Sequence, residues 1–232
     1  KHSVADYFDK AYELEQKLER AGKSELLASI RDVLPRHVRA VFVTQAEALG
    51  LGHAVLCARP VVGDQPFAVL LPDDLIWSRG AGATRQLVEL ATQQQASVIA
   101  VQDVPIEQTR SYGIVATRDF TGSHGEISAI VEKPRPEEAP STLAVVGRYV
   151  LQPEIFELLE STKPGAGGEI QLTDGIAALL KAHKTLAYRF EGRRFDCGSR
   201  IGLIEATLQY ALEDADLRDA AKALMRQALA KG

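Results

Sequence analysis

The sequence predicts an α/β protein with a doubly wound sheet, that is, a sheet with helices on both faces. Short β-branched runs alternate with amphipathic helical segments along the chain, and few linkers interrupt the alternation. Two runs, Pro66–Asp74 (PFAVLLPDD) and Ala96–Val101 (ASVIAV), contain continuous apolar stretches, which is typical of strands buried on both faces in the middle of a parallel sheet. A chain of 232 residues is long enough for one large α/β domain, or for a domain with an appendage.

The first elements follow from local patterns. Val4–Arg20 has apolar residues at a helical period, and Gly22 ends it. Ser24–Val33 begins with a serine cap followed by an acid and predicts a second helix. Arg39–Thr44 (RAVFVT) is a short β-branched run, which predicts a strand. The two glycines of Gln45–Gly52 then lead into a further helix. A strand, a glycine loop and a helix can lay backbone N–H groups against a nucleotide, although such glycines are more often plain turn residues.

The same alternation continues to the end of the chain. The predicted strands are the one at Pro66–Asp74, those over Ala96–Val101, Ser111–Ala116, Glu126–Glu132 and Thr142–Leu151, and strands around the turn at Gly192 in Thr185–Phe195. Between them we expect helices over His53–Arg59, Ala83–Gln95 and Glu169–His183, and one begun by Pro153. Two amphipathic helices, Ile201–Glu213 and Leu217–Ala230, follow the last strand. A turn containing Gly122, Ser123 and Gly125 joins two of the strands, so we expect that pair to be antiparallel. The last two helices are candidates for a dimerisation or cap element.

The composition excludes several classes of function. The apolar fraction of 46% and the charged fraction of 25% are ordinary for a globular protein. With 27 basic and 31 acidic residues the net charge is −4, so no global basic field attracts nucleic acid or an anionic membrane. No apolar run approaches the roughly 18 residues of a membrane span, and no secretory signal peptide opens the sequence. Two cysteines, Cys57 and Cys197, are too few for a disulfide scaffold and indicate reduced thiols in a cytoplasm.

The acids that follow strands are the most informative polar residues. Asp73 ends the run Pro66–Asp74, and Asp196 lies in FDCG, again between a strand and the start of a helix. Ligands bind at the carboxyl ends of strands in open α/β sheets, and Mg²⁺ takes one or two carboxylates together with water and phosphate oxygens. Lys133, in VEKP, can direct a fixed charge at the same anion. Capping of the next turn by Asp73 or Asp74 is the alternative.

Other sites are not supported by the sequence. The five histidines show no metal-ligand spacing, and neither cysteine has a partner at C-x-x-C distance, which argues against zinc. The sequence contains no G-x-S-x-G elbow and no P-loop. A dinucleotide-dependent dehydrogenase would fit the α/β alternation, but no G-x-G-x-x-G follows an early strand.

Seven blocks of residues identify a family. QAEALGLGHAVL, LLPDD, SYGIVA, IVEKP, AVVGRYVL, GGEIQLTD and FDCGSRIGLIEA stand in the order and spacing of the bacterial UTP–glucose-1-phosphate uridylyltransferases, also called UDP-glucose pyrophosphorylases. The resemblance runs from Val4–Glu15 to Ala206, and GGEIQLTD and FDCG separate the chain from the related thymidylyltransferases. It implies a Rossmann-like, doubly wound mixed sheet of the nucleotide-diphospho-sugar transferase type with C-terminal helices. It also implies a cytoplasmic, Mg²⁺-dependent enzyme that forms UDP-glucose and pyrophosphate from UTP and glucose 1-phosphate.

The resemblance also implies roles for individual residues. The implied sites are nucleotide binding by Gln45, Gly50 and Gly52, sugar binding by Gly113, Glu132 and Val145, contact with the sugar phosphate by Lys133, and Mg²⁺ coordination by Asp73 and Asp196. Each has an ordinary structural alternative, such as turn glycines, an exposed Glu–Lys pair or an apolar core residue. Glu169, Thr173 and Asp174 either belong to the sugar side or cap the following helix.

One departure from the family concerns the start of the sequence. The family begins with a glycine-rich G-x-G-T-R…P-x-T-K segment that cradles the triphosphate, and nothing in this sequence resembles it. Lys1–Asp9 resembles the stretch that follows the first strand–loop–helix–strand unit. We therefore expect a core over residues 1–200 that lacks the first β-α-β segment, with a helical appendage over residues 201–232. Little or no catalysis is expected from these residues alone, which makes a non-catalytic nucleotide-sugar-binding module the alternative function. The terminal helices suggest a homo-oligomer, a dimer or a tetramer.

Overall fold

The computed structural model of the chain describes residues 2–8, 11–35, 37–165 and 168–231. The chain divides into two compact units, residues 1–46 (unit 1) and residues 47–232 (unit 2). No helix in the described ranges is long and apolar enough to cross a membrane.

The described residues of unit 1 form three helices and an irregular segment. The helices are α1 (His2–Phe8), α2 (Tyr12–Arg20) and α3 (Ser24–Arg31). The single helix predicted over Val4–Arg20 is therefore two helices, and residues 9 and 10 lie outside the described part of the chain. Gly22 turns the chain between α2 and α3 with a positive φ of 67°, as predicted. Arg31 Nε donates to Glu15 Oε2 at 2.9 Å, which ties α3 to the buried side of α2.

The strand predicted over Arg39–Thr44 is wrong. This segment has no regular secondary structure, and Val41 and Phe42 are 61% and 56% exposed. Strand propensity measures how well a side chain fits a pleated, half-buried surface, and a strand also needs a neighbour to receive its hydrogen bonds. In the described residues of unit 1 no second strand provides that neighbour.

Unit 2 is built on two sheets. Its strands are β1 (Phe67–Leu70), β2 (Asp74–Trp77), β3 (Ser97–Asp103), β4 (Gly113–Thr121), β5 (His124–Glu132), β6 (Leu143–Leu151), β7 (Thr185–Arg189) and β8 (Arg193–Asp196). Six of them form a mixed sheet in the order β1-β6-β3-β7-β5-β4, in which only β3 and β7 are parallel among the described strands. Strands β2 and β8 form a separate antiparallel pair. The predicted antiparallel pairing of β4 with β5 is confirmed.

Helices cover both faces of the large sheet. The described helices of unit 2 are α4 (Leu51–Cys57), α5 (Arg59–Val62), α6 (Ala83–Gln94), α7 (Ile155–Ser161), α8 (Leu172–Leu179), α9 (Arg200–Glu213) and α10 (Arg218–Lys231). The last two lie away from the large sheet, since α9 packs on β8 and α10 packs on α9. Neighbouring residues of β3 point to opposite faces: Ile99 packs in one core with residues of α4, α7 and α8, and Val98 packs in another with Leu87 and Leu90 of α6. The predicted doubly wound α/β class with C-terminal helices is confirmed. The predicted helix over Glu169–His183 is shorter and coincides with α8.

The position predicted for the run Pro66–Asp74 is wrong. Within the described sheet β1 lies at the edge and pairs only with β6, antiparallel, and Leu70 is 51% exposed. Phe67 stacks on Phe156 of α7 at 4.8 Å between ring centroids, so one face of β1 still contacts the core. A continuous apolar run does not distinguish an edge strand from a central one, because both bury at least one face.

Candidate active site

Six of the nine predicted site residues line one cavity of unit 2, with a volume of about 380 Å³. They come from the turn after β1, from β4 and β5, from β6 and from the end of β8, and are Asp73, Gly113, Glu132, Lys133, Val145 and Asp196. Segments that are far apart in sequence therefore meet at one place.

The turn after β1 distinguishes its two aspartates. The carboxylate of Asp74 is buried: one oxygen accepts from Gly147 N at 2.5 Å, and the other pairs with Arg194 Nε. Asp73 is exposed, and its carboxylate makes no hydrogen bond within the described ranges. Asp74 thus holds the turn, and Asp73 presents an unengaged carboxylate to the cavity.

Asp73 and Asp196 approach each other through backbone pairing. Asp74 lies opposite Asp196 in the β2–β8 register, and Cys197 N donates to the carbonyl of Asp73 at 2.7 Å. A methyl group placed on Gly198 would lie 3.1 Å from Asp196 Oδ1 and 3.4 Å from Asp73 Oδ2. The two carboxylates therefore border one small space.

This donor set fits a magnesium ion better than a transition metal. In the part of the chain that the structure describes, no group of three or more His, Cys, Asp or Glu side chains is arranged to hold a metal. Mg²⁺ commonly takes only one or two carboxylates and completes its shell with water and substrate phosphates. Asp73 and Asp196 can supply those two carboxylates.

The opposite wall of the cavity combines an acid, a hydroxyl and a glycine. Gly113 of β4 pairs with Glu132 of β5, and Glu132 Oε2 accepts from Thr173 Oγ1 of α8 at 3.0 Å. A methyl group on Gly113 would lie 2.9 Å from Thr173 Cγ2 and 3.3 Å from Glu132 Oε2. A larger residue at position 113 would therefore have to displace the side chain of Thr173. Thr173, whose role the sequence left open, lines the cavity.

Lys133 has an unusual backbone for a residue other than glycine. Its φ is +46°, and its N–H donates to the carbonyl of Tyr112 at 3.0 Å. The ammonium lies 3.7 Å from Glu132 Oε1, and the side chain is 60% exposed. Left-handed backbone costs of order 1 kcal/mol and concentrates at functional sites. Nothing in the letters VEKP predicts this conformation.

Tyr112, Tyr149 and Arg194 also line the cavity, although none of them is among the predicted site residues. Burial, with the nearby charges of Asp74 and Glu132, raises the pKa of the Tyr149 phenol. Burial by itself would lower the pKa of Arg194, but Asp74 and the hydrogen bonds of the guanidinium raise it. The blocks SYGIVA and GRYVL contain both tyrosines, but their letters do not show which side chains turn towards the cavity.

Two of the residues predicted to bind the nucleotide, Gly50 and Gly52, flank Leu51, which lines the cavity. Gly50 has a φ of +93°, and a methyl group on Gly52 would lie 2.7 Å from the carbonyl oxygen of Ile170. Both glycines therefore allow a close backbone contact with the segment before α8, and Gly52 N donates to Ile170 O at 2.8 Å. Gln45 belongs to the irregular segment of unit 1 and makes a polar interaction of its own. The nucleotide-binding roles of the three residues stay predictions.

Comparisons with known proteins agree on one family. The family model for nucleotidyl transferases matches residues 3–213. A UTP–glucose-1-phosphate uridylyltransferase from Pseudomonas aeruginosa is 46% identical over 208 residues, which are 89% of this chain and 74% of that protein. The UTP-bound UGPase from Acinetobacter baumannii superposes with a TM-score of 0.88 at 43% identity, covering 97% of this chain and 78% of that one. A UDP-glucose pyrophosphorylase complexed with UDP-glucose gives a TM-score of 0.80 at 39% identity, covering 92% of this chain and 78% of that one.

Proposed function

The chain belongs to the nucleotidyl transferase family and, within it, to the UTP–glucose-1-phosphate uridylyltransferases, and from that premise we propose its reaction: transfer of the uridylyl group of UTP to glucose 1-phosphate, giving UDP-glucose and pyrophosphate. The observation that carries the proposal is the convergence of Asp73, Asp196, Glu132 and Lys133 on one cavity. This reaction needs two carboxylates for a cation, a lysine for a phosphate and an acid for sugar hydroxyls.

The reaction needs no side-chain nucleophile. A phosphate oxygen of glucose 1-phosphate is already anionic, so it attacks the α-phosphorus of UTP directly. A new O–P bond forms as the bond to the β-phosphate oxygen breaks, and pyrophosphate leaves with that electron pair. The protein has to align the two anions and offset their repulsion, which is the larger part of catalysis in phosphoryl transfer.

We assign the two walls of the cavity to different parts of the substrates. Asp73 and Asp196 would hold Mg²⁺, which offsets phosphate charge when bound. Lys133 would contact the sugar phosphate, and Glu132, held by Thr173, would accept hydrogen bonds from the sugar hydroxyls.

The remaining assignments rest on the family alone. They are an apolar sugar wall at Val145, backbone contact with the sugar at Gly113, and uracil contacts at Gln45, Gly50 and Gly52.

The central assignment is tested by removing one carboxylate. In the complete protein, we expect Asp196→Ala to lower Mg²⁺-dependent pyrophosphate release by about 10²-fold or more, since one of two metal ligands and much of the charge compensation are lost. Binding of UDP-glucose, measured by calorimetry without metal, should change little. The matched control is Asp64→Ala, which removes an exposed carboxylate outside the cavity.

The outcomes separate the two candidate functions. Full turnover by Asp196→Ala would remove Asp196 from the site. If the complete unmutated protein binds UDP-glucose but releases no pyrophosphate, it acts as a nucleotide-sugar-binding module instead.

Location and assembly are further proposals. We propose that the protein is cytoplasmic, because Cys57 and Cys197 are both free thiols. We also propose self-association through α9 and α10, since both helices carry large exposed apolar side chains, among them Ile201 at 65% and Leu224 at 67%.

A further inference from the structure

One arginine contacts both walls of the cavity. Arg194 Nε pairs with Asp74 Oδ1, and Arg194 Nη1 donates to the hydroxyl of Tyr112 at 3.2 Å. The side chains of Arg194 and Asp74 are only 10% and 8% exposed. The guanidinium carbon also lies 5.3 Å from the centroid of the Tyr112 ring. A buried guanidinium with two partners on different elements is held in one orientation.

On the first wall, the partner of Arg194 fixes the turn that carries Asp73. Asp74 follows Asp73 directly, accepts from Gly147 N at 2.5 Å and lies opposite Asp196 in the β2–β8 register. Arg148 Nη2 donates to the carbonyl of Asp74 at 2.9 Å, which holds the same turn from β6. Because Arg194 belongs to the strand that ends at Asp196, its pair with Asp74 joins the two segments that bear the metal-binding carboxylates.

On the second wall, Tyr112, the other partner of Arg194, contacts the backbone of Lys133. Tyr112 directly precedes Gly113, and its carbonyl accepts the N–H of Lys133 at 3.0 Å. The hydroxyl contact with Arg194 therefore holds a residue whose backbone supports the strained conformation of Lys133.

From these contacts we infer that Arg194 is a positioning residue of the transfer reaction. Its guanidinium sets the separation between the carboxylates of Asp73 and Asp196 and the ammonium of Lys133, and so aligns the two phosphate groups that react. The inference rests on the proposed function. A displacement of about 1 Å at a reacting group can cost roughly 10²-fold in rate.

A purely structural role for Arg194 would work differently. Asp74 is a buried carboxylate, and any cation beside it would offset the cost of its burial. A lysine at position 194 supplies that cation, but it lacks the planar fork that reaches Asp74 and Tyr112 together. The conservative substitution therefore separates charge compensation from positioning.

The test compares Arg194→Lys with two further variants. Arg194→Lys should retain the melting temperature of the unmutated protein to within about 5 °C. Its kcat for pyrophosphate release should fall by roughly 10- to 100-fold, while the KM for UTP changes less than about twofold. Tyr112→Phe, which removes only the hydroxyl contact, should lower kcat by a smaller factor in the same direction. The matched control is Arg189→Lys, because Arg189 makes a two-point pair with Asp103 between β7 and β3, away from the cavity; its kcat should be unchanged.

Where the unmutated protein turns over its substrates, two results would overturn the inference: unchanged kcat in Arg194→Lys, or, if that variant does not fold, unchanged kcat in Tyr112→Phe. Failure of the proposed function has a different signature, which is absence of turnover in the unmutated protein. In that case amide hydrogen exchange at Lys133 decides. Exchange about tenfold faster in Tyr112→Phe supports a positioning contact, and an unchanged rate contradicts it.

Discussion

At the scale of single residues, adjacent acids have opposite roles. Asp73 and Asp74 follow the same strand, yet Asp74 is buried with both oxygens engaged and Asp73 is exposed. The difference arises from Gly147, whose N–H approaches Asp74 because no side chain stands between them. A methyl group there would lie 2.6 Å from Leu71 Cβ and 2.7 Å from Asp74 Oδ2. The exposed carboxylate thus depends on a glycine 74 residues away.

This dependence predicts the effect of a single methyl group. Gly147→Ala should destabilise the protein by about 3 kcal/mol, because the turn after β1 must shift and the bond to Asp74 weakens. Urea unfolding of the variant measures the loss. Gly80→Ala is the matched control, since no atom lies within 4 Å of an added methyl group at Gly80, and its stability should change by less than about 0.5 kcal/mol. Equal stability of the two variants would contradict the packing described for the turn.

At the scale of elements, sequence patterns located most helices and strands but, apart from the pair β4 and β5, not their neighbours in the sheet. The periods of Ala83–Gln95 and Thr142–Leu151 predicted α6 and β6 within a residue or two. The run Val41–Val43 also consists of residues that favour strands. It nevertheless forms no strand in the described part of unit 1, because no second strand there receives its hydrogen bonds. Propensity is local, whereas a strand is stabilised by its ladder. The edge position of β1 could not be predicted for the same reason, because local propensity does not show which strands pair.

For the site, too, the sequence predicted part of the residues but not how they are arranged. Acids that end strands and the VEKP block indicated Asp73, Asp196 and Lys133, because ligands bind where strands end. Arg194 and Tyr149 could not be found this way, since a strand residue faces the cavity or the core according to a register that the sequence does not display. The positive φ of Lys133 depends on its bond to the carbonyl of Tyr112, which is a tertiary contact.

At the scale of the whole molecule, the terminal helices predict an oligomer. Large apolar side chains on α9 and α10 are exposed in the single chain, including Ile201 and Leu224, and their burial between chains would stabilise an assembly. Light scattering should give the mass of two or four chains, and Leu224→Glu should shift it towards one chain. Lys222→Glu introduces the same residue on the same helix without removing apolar surface, so it should leave the mass unchanged. A monomeric mass for the unmutated protein would refute this proposal.

We propose that one cavity of unit 2 holds the reacting phosphates between two carboxylates and a lysine. A crystal structure of the protein with UDP-glucose and Mg²⁺ tests it most directly. We expect the diphosphate between the carboxylates of Asp73 and Asp196 and the ammonium of Lys133, with the glucose hydroxyls on Glu132. A diphosphate bound outside this cavity, or a metal ion held by neither Asp73 nor Asp196, would contradict it.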